Sequence, residues 1–134
     1  MSNQKINPPE MFDSLRYAFS HAVVAEAGRL VHMAGQVAWD ANHVIVAPGD
    51  LAGQAAQTLK NVRSVLAACG AEPKDVVRLR IYVVDHKPEK LDVIVAALND
   101  FYGGELPAAN TLIGVQALAL PEFLIEIEAT AHIA

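Results

Sequence analysis

The sequence predicts an α+β sandwich, a single domain in which two helices cover one face of a mixed β-sheet. Three observations lead there. Five stretches alternate apolar and polar residues, as half-buried strands do, and two repeat apolar residues every three or four positions, as amphipathic helices do. These elements follow one another in the order β-β-α-β-α-β-β. The 134 residues, 53% of them hydrophobic, suffice for one real core.

Each element has its own local reason. Residues 1–16, polar and proline-containing, read as a loosely held N-terminal arm. "YAFSHAVVA" and "RLVHMAGQVAW" are two strands joined through "EAG" as a hairpin, and "NHVIVAPGD" is a short apolar piece closed by a turn. Asp50 stands where a helix cap belongs. Behind it Leu51, Ala55, Leu59, Val62, Leu66 and Cys69 form one stripe, stopped by Gly70. "DVVRLRIYVVD" is a third strand. Pro88 opens a second helix with Leu91, Ile94, Leu98 and Phe101 on one face, and Gly103-Gly104 end it. "NTLIGVQAL" and "EFLIEIEATAHIA" close the chain as strands.

Composition removes several function classes. No apolar run approaches the ~20 residues of a membrane-spanning helix, and the first residues lack the apolar segment of a signal peptide. A single cysteine excludes an internal disulfide framework, so a reducing, cytoplasmic setting is expected. A formal charge of −5 disfavours a nucleic-acid surface. The high apolar fraction of so small a chain points to a homo-oligomer.

Alternation divides each strand into two sets. In the last strand Phe123, Ile125, Ile127, Ala129, Ala131 and Ile133 belong under the helices, with Glu126, Glu128, Thr130 and His132 opposite. In the third, Val77, Leu79, Ile81 and Val83 oppose Arg78, Arg80 and Tyr82. The same split assigns Gln36 and Asn110 to the helix-free face. That mixed face is either a solvated surface with cross-strand ion pairs or a seam that packs against copies of itself, and composition does not separate the two.

Chemistry is sparse. The five histidines show no HxxxH spacing and there is no CxxC, so no metal site is expected. Cys69 lies on a helix stripe and reads as a structural thiol. Gly35 fits a close backbone approach at a bulge. Glu126 is the most interesting ionisable group, since burial or a neighbour would tune it toward acid–base work, although a structural role opposite an arginine explains it as well. "GELPAANTLIG", residues 104–114, has the look of a binding-site rim, yet no acid, base, thiol or cation lies between Glu105 and Glu122.

"HMAGQVAWD", the block "GDLAGQAAQTLKNVRSVLAACGAEPKDVVRLRIYVVD", the Pro107-Ala108 turn and the closing "LIEIEATA" together resemble the Rid family of YjgF-type proteins, in unbroken order from about residue 17 to 133. The resemblance implies a chorismate-mutase-like fold assembled as a homotrimer, its sheets closing into a central barrel with a small-molecule ligand in each intersubunit cleft. In RidA-type members those clefts hydrolyse 2-imino acids to 2-keto acids and ammonia, with no cofactor and no metal. An arginine after the "P-A" turn holds the substrate carboxylate, a glutamate of "EIE" positions or activates water, and a tyrosine lines the pocket.

Carried over residue by residue, the pattern is uneven. The glutamate is Glu126. The tyrosine position falls on Phe19, the serine of "SGQ" is Ala34, and Gly35 and Gln36 match. An asparagine of the second helix falls at Val95. The arginine is absent: counted back from Gly114 its place is Asn110, counted forward from Pro107 it is Ala109. Trp39 is a further expected pocket wall, and Arg80 a rival cation for the substrate. Losing a charge-assisted bidentate contact typically costs a few kcal/mol of substrate binding. The expectation is therefore a trimer that hydrolyses a small imine or enamine but is no archetypal 2-imino acid deaminase. The alternatives are a non-enzymatic metabolite-binding trimer and, least supported, an RNA-directed translation inhibitor or endoribonuclease.

Overall fold

A computed structural model describes residues 3–134. Six strands and two helices are formed: β1 (Gln4–Ile6), β2 (Ala22–Val24), β3 (Arg29–His32), α1 (Leu51–Ala68), β4 (Val76–Val84), α2 (Leu91–Tyr102), β5 (Ala109–Val115) and β6 (Ile125–Ile133). The main sheet has the order β3-β6-β4-β5, antiparallel except for the parallel pair β4–β5. The parallel pair needs a crossover, and α2 supplies it.

Both helices pack on one face. Leu59, Val62 and Leu66 of α1 and Ile94 and Leu98 of α2 meet Leu79, Ile81, Val83, Ile125 and Ile127 in one buried cluster. Each buried aliphatic side chain contributes roughly 1.5–3 kcal/mol. Asp50 sits at the cap position of α1, but its carboxylate makes no cap hydrogen bond. Gly103, left-handed at φ 58°, ends α2, a conformation that costs glycine nothing. No helix of the described residues is long and apolar enough to cross a membrane.

Three sequence expectations are corrected. Residues 4–6 are not a loose arm: they pair antiparallel with β2, in register Lys5↔Val23. The expected hairpin between the first two strands does not form, because β2 is taken by β1 and β3 pairs with β6. In β4 a register shift between Val76 and Arg78 changes the alternation, so Val76 is fully buried in the place expected of Val77.

The face assignments of Gln36 and Asn110 also change. His32 pairs with Thr130, but Gln36 pairs with Ile127, so one extra residue is accommodated around Ala34-Gly35. That bulge puts Gln36 in phase with the core-facing Ile127. Asn110 pairs with Leu79 and Leu112 with Ile81, both core-facing, so Asn110 belongs to the helix side of the sheet. Ala109, paired with Arg78, belongs to the helix-free side.

Candidate functional site

Two groups of candidate residues form, one on each face of the sheet. The first lies where the edge strand β5 meets α2. Phe19, Val95 and Asn110, three positions separated by up to 91 residues of chain, line one cavity of about 250 Å³ with Tyr17, Ile94 and Leu112. Local structure explains the convergence. A short 3-10 turn, Leu15–Tyr17, ends at Ala18, which is fully buried and left-handed at φ 60°. A non-glycine residue held there is strained, and such strain concentrates at functional sites. Beyond it the Ser20 N–H donates to Ala108 O (2.8 Å), and the Ser20 hydroxyl donates to Pro107 O (2.5 Å). From the other side the Ala108 N–H donates to the buried Tyr102 hydroxyl (3.2 Å). Burial pushes the Tyr102 phenol far above its ordinary range, so the hydroxyl stays protonated. The "LPA" turn is thereby clamped, and with it the start of β5 that carries Asn110.

The second group lies on the helix-free face. Glu126 stands beside Tyr82, and Arg80 beside Glu128, in the β4–β6 register. The Tyr82 hydroxyl donates a hydrogen bond to Glu128 Oε1, and the Arg80 guanidinium lies 4.0 Å from the same oxygen. The expected arginine–carboxylate pairing thus holds for Arg80, at the outer limit of distance, and not for Arg78, which has no carboxylate partner among the described residues. An exposed pair of this kind is worth about 0–1 kcal/mol. Hydrogen bonding to Glu128 is the main reason the Tyr82 phenol titrates above its usual value.

Glu126 differs from its neighbour. Among the described residues its carboxylate has neither an ion pair nor a hydrogen bond, and burial, then the like charge of Glu128, raises its pKa above the usual glutamate value. Gly35 makes room for it. A Cβ at Gly35 would lie 2.8 Å from the Glu126 carboxyl carbon. The glycine at the bulge is therefore a close-approach glycine, as the sequence suggests. The pair offers an unpartnered carboxylate of raised basicity against bare backbone, which suits proton transfer to and from a bound water.

The remaining expected residues distribute unevenly. The Gln36 side-chain amide donates to Ala34 O (3.2 Å) and so is occupied locally, while Ala34 is exposed at the bulge. Trp39 joins neither group. Its ring lies edge-on against His43 and Phe123, each 5.0 Å away. Ala109 faces the Arg78 side and contributes nothing to the cavity that holds Asn110. Sequence reading missed Tyr17, Leu91 and Leu112 as cavity walls: Leu91 reads as part of the apolar helix stripe, and Leu112 shares with Asn110 the alternation set assigned to the helix-free face. The usable signal is Val95, an apolar residue beside the α2 stripe, where a solvent-facing position would be polar.

The comparisons with known proteins agree with this architecture. The sequence profile of the family described as Endoribonuclease L-PSP matches residues 13–133. The crystal structure of YyfB from Yersinia pestis, described as a protein of the conserved Rid family, is 55% identical, with a TM-score of 0.97 over 99% of this chain and 100% of its own. Protein DfrA of Myxococcus xanthus is 34% identical over 118 residues, 84% of this chain and 83% of that protein. A Rattus norvegicus protein named 2-iminobutanoate/2-iminopropanoate deaminase is 31% identical over 115 residues, 85% of this chain and 79% of that protein.

Proposed function

The chain belongs to the endoribonuclease L-PSP family, the YjgF or Rid family, and on that premise we propose that it is a homotrimer whose intersubunit clefts hydrolyse a small imine or enamine. One observation carries the reading. Asn110, one of the two places the resemblance gives the missing arginine and the one that lines the cavity, and Glu126, which matches the glutamate, lie on opposite faces of one sheet. No movement of a side chain within one chain joins them. They meet only if the helix-free face of one copy packs against the β5 edge of the next, so that the cavity of one subunit receives Glu126 and Gly35 of its neighbour. The net charge of −5 supports a small-molecule substrate over nucleic acid.

In the proposed reaction the substrate's apolar part occupies the Phe19–Leu112 cavity, with Asn110 hydrogen-bonded to it. The Glu126 carboxylate takes a proton from water as the oxygen adds to the imine carbon. The carboxyl returns that proton to nitrogen, which gives a neutral carbinolamine, and the carboxylate then carries the hydroxyl proton to nitrogen as the C–N bond breaks. Ammonia leaves and a carbonyl remains, and the glutamate is regenerated. Its raised pKa suits both halves of this proton cycle.

Subunit mixing tests the cleft. Glu126→Gln removes the proton carrier and Val95→Trp fills the cavity, so each variant alone should release little ammonia from freshly generated imines. Refolded together at equal amounts, about a quarter of the clefts would combine two intact halves, and activity should return to roughly that fraction. A mixture as inactive as its components would show that both halves belong to one subunit, or that the reaction is not performed.

A further inference from the structure

We infer that the α2–β5 cavity selects substrates whose body is uncharged and apolar, held by a single amide hydrogen bond from Asn110. The inference rests on the cleft reading above and adds the chemical class of what enters it.

The cavity walls show it first. Ile94 and Leu98 are each only 1% exposed at its floor, and Phe19, Leu112 and Leu91 complete the sides. Its polar groups are the Asn110 amide and the Tyr17 hydroxyl, and neither side chain hydrogen-bonds to another group among the described residues. The half-buried Asn110 amide lines an apolar space with both its donor and its acceptor free for a ligand. It complements a carbonyl, imine or carboxamide, and it does not neutralise a carboxylate.

Among the described residues no cation of the same chain lines the cavity, and the rival anchor for an anion is Arg80 on the face of the neighbouring copy that also brings Glu126. Arg80 and Arg78 stand on the opposite face of the sheet. Arg16 is nearer in sequence, but its guanidinium lies over the Tyr17 ring, 5.4 Å from the centroid, and it does not line the cavity. Against the walls of its own subunit a carboxylate would exchange water for aliphatic carbon with one neutral hydrogen bond in return, which is unfavourable. The volume of about 250 Å³ fits a single ring or branched chain with a short polar arm.

A matched pair of stable probes tests the inference on the full chain: phenylacetamide and phenylacetate, equal in shape and different in charge. Methyl NMR on Ile94, Leu98 and Leu112 locates binding without any substitution, and titration compares affinities. The expected result is that phenylacetamide shifts these methyls and binds at least about tenfold tighter than phenylacetate. Asn110→Arg should reverse that order, while Arg16→Ala should leave it unchanged. Phenylacetate binding in the cavity as tightly as the amide would overturn the inference while leaving the cleft intact. If that binding then disappeared in Arg80→Ala, a guanidinium reaching across the subunit interface would be the reason. Binding of neither probe at these methyls also overturns it. Rescue of activity by subunit mixing would then show that the cleft survives and only the ligand class has failed.

Discussion

Glu126 is held with its charge at a disadvantage. Burial and the neighbouring Glu128 both favour its protonated form, so its pKa is higher folded than unfolded. Below the usual carboxylate range the group is protonated in both states and the fold is not penalised. As the pH rises through the raised value, the folded state loses stability relative to the unfolded one. Glu126→Gln should therefore be more stable than wild type at neutral pH, and the advantage should disappear in acid. Urea titrations at several pH values measure this, and a variant that is less stable at neutral pH would contradict it. The catalytic expectation has the opposite direction. The base must be ionised, so kcat/KM should fall with acidification along a limb centred above the ordinary glutamate value of about 4.3. Turnover should drop by about 10²–10⁴ in Glu126→Gln. An acid limb at or below the ordinary value would mean that Glu126 is not the titrating base.

Among the elements, β5 matters most, because it is the edge strand of the main sheet and still carries Asn110 in a defined place. Its rigidity comes from outside the strand. The "LPA" turn is clamped by Ser20 on one side and Tyr102 on the other, and Pro107 and Ala108 are buried. Tyr102→Phe removes the acceptor for the Ala108 N–H, which has no water to replace it at 0% exposure. An unsatisfied buried donor costs about 1–3 kcal/mol. The variant should lose that much in denaturant titration while keeping its fold. Its backbone amides around Asn110 should exchange with solvent faster than in wild type. A loss of stability without faster exchange there would assign Tyr102 to packing alone. Gln54 plays a similar part at the other end of the core. Fully buried on α1, it donates to Glu122 O (3.0 Å) and accepts from the Leu124 N–H (2.9 Å), fixing where β6 begins.

At the scale of the whole molecule the helix-free face is unfinished as a surface. It carries Arg78, Arg80, Tyr82, Glu126 and Glu128 beside Ile113, which is 40% exposed and pairs with Tyr82 in the β4–β5 register. A face that mixes paired charges with exposed aliphatic groups suits burial against another copy of itself. Light scattering should return about three times the chain mass of 14.3 kDa. Ile113→Lys would place a cation in that seam and should shift the mass toward the monomer with helix content unchanged. A stable monomer for wild type at micromolar concentration would remove the cleft and the proposed reaction with it.

The helices, the β-rich order and the core-facing set of the last strand were determined by the sequence alone. Periodicity is local: Leu59, Val62 and Leu66 declare a helix face, and Ile125, Ile127 and Ala129 a strand face, whatever their partners. Glu126 was legible for the same reason, as a charge in strict alternation with buried isoleucines. Pairing is not local. The strand β3 takes, and the extra residue at Ala34-Gly35, depend on β6 more than 90 positions away, β2 is claimed by the N-terminal β1, and a one-residue slip moves a side chain to the other face. Only the tertiary structure could therefore move Asn110 and Gln36 to the helix side, separate Asn110 from Ala109, and show that the two halves of the candidate site lie on opposite faces. The parallel β4–β5 register decides the first of these, because it sets Asn110 beside Leu79 and so aims it at α2 instead of at Glu126.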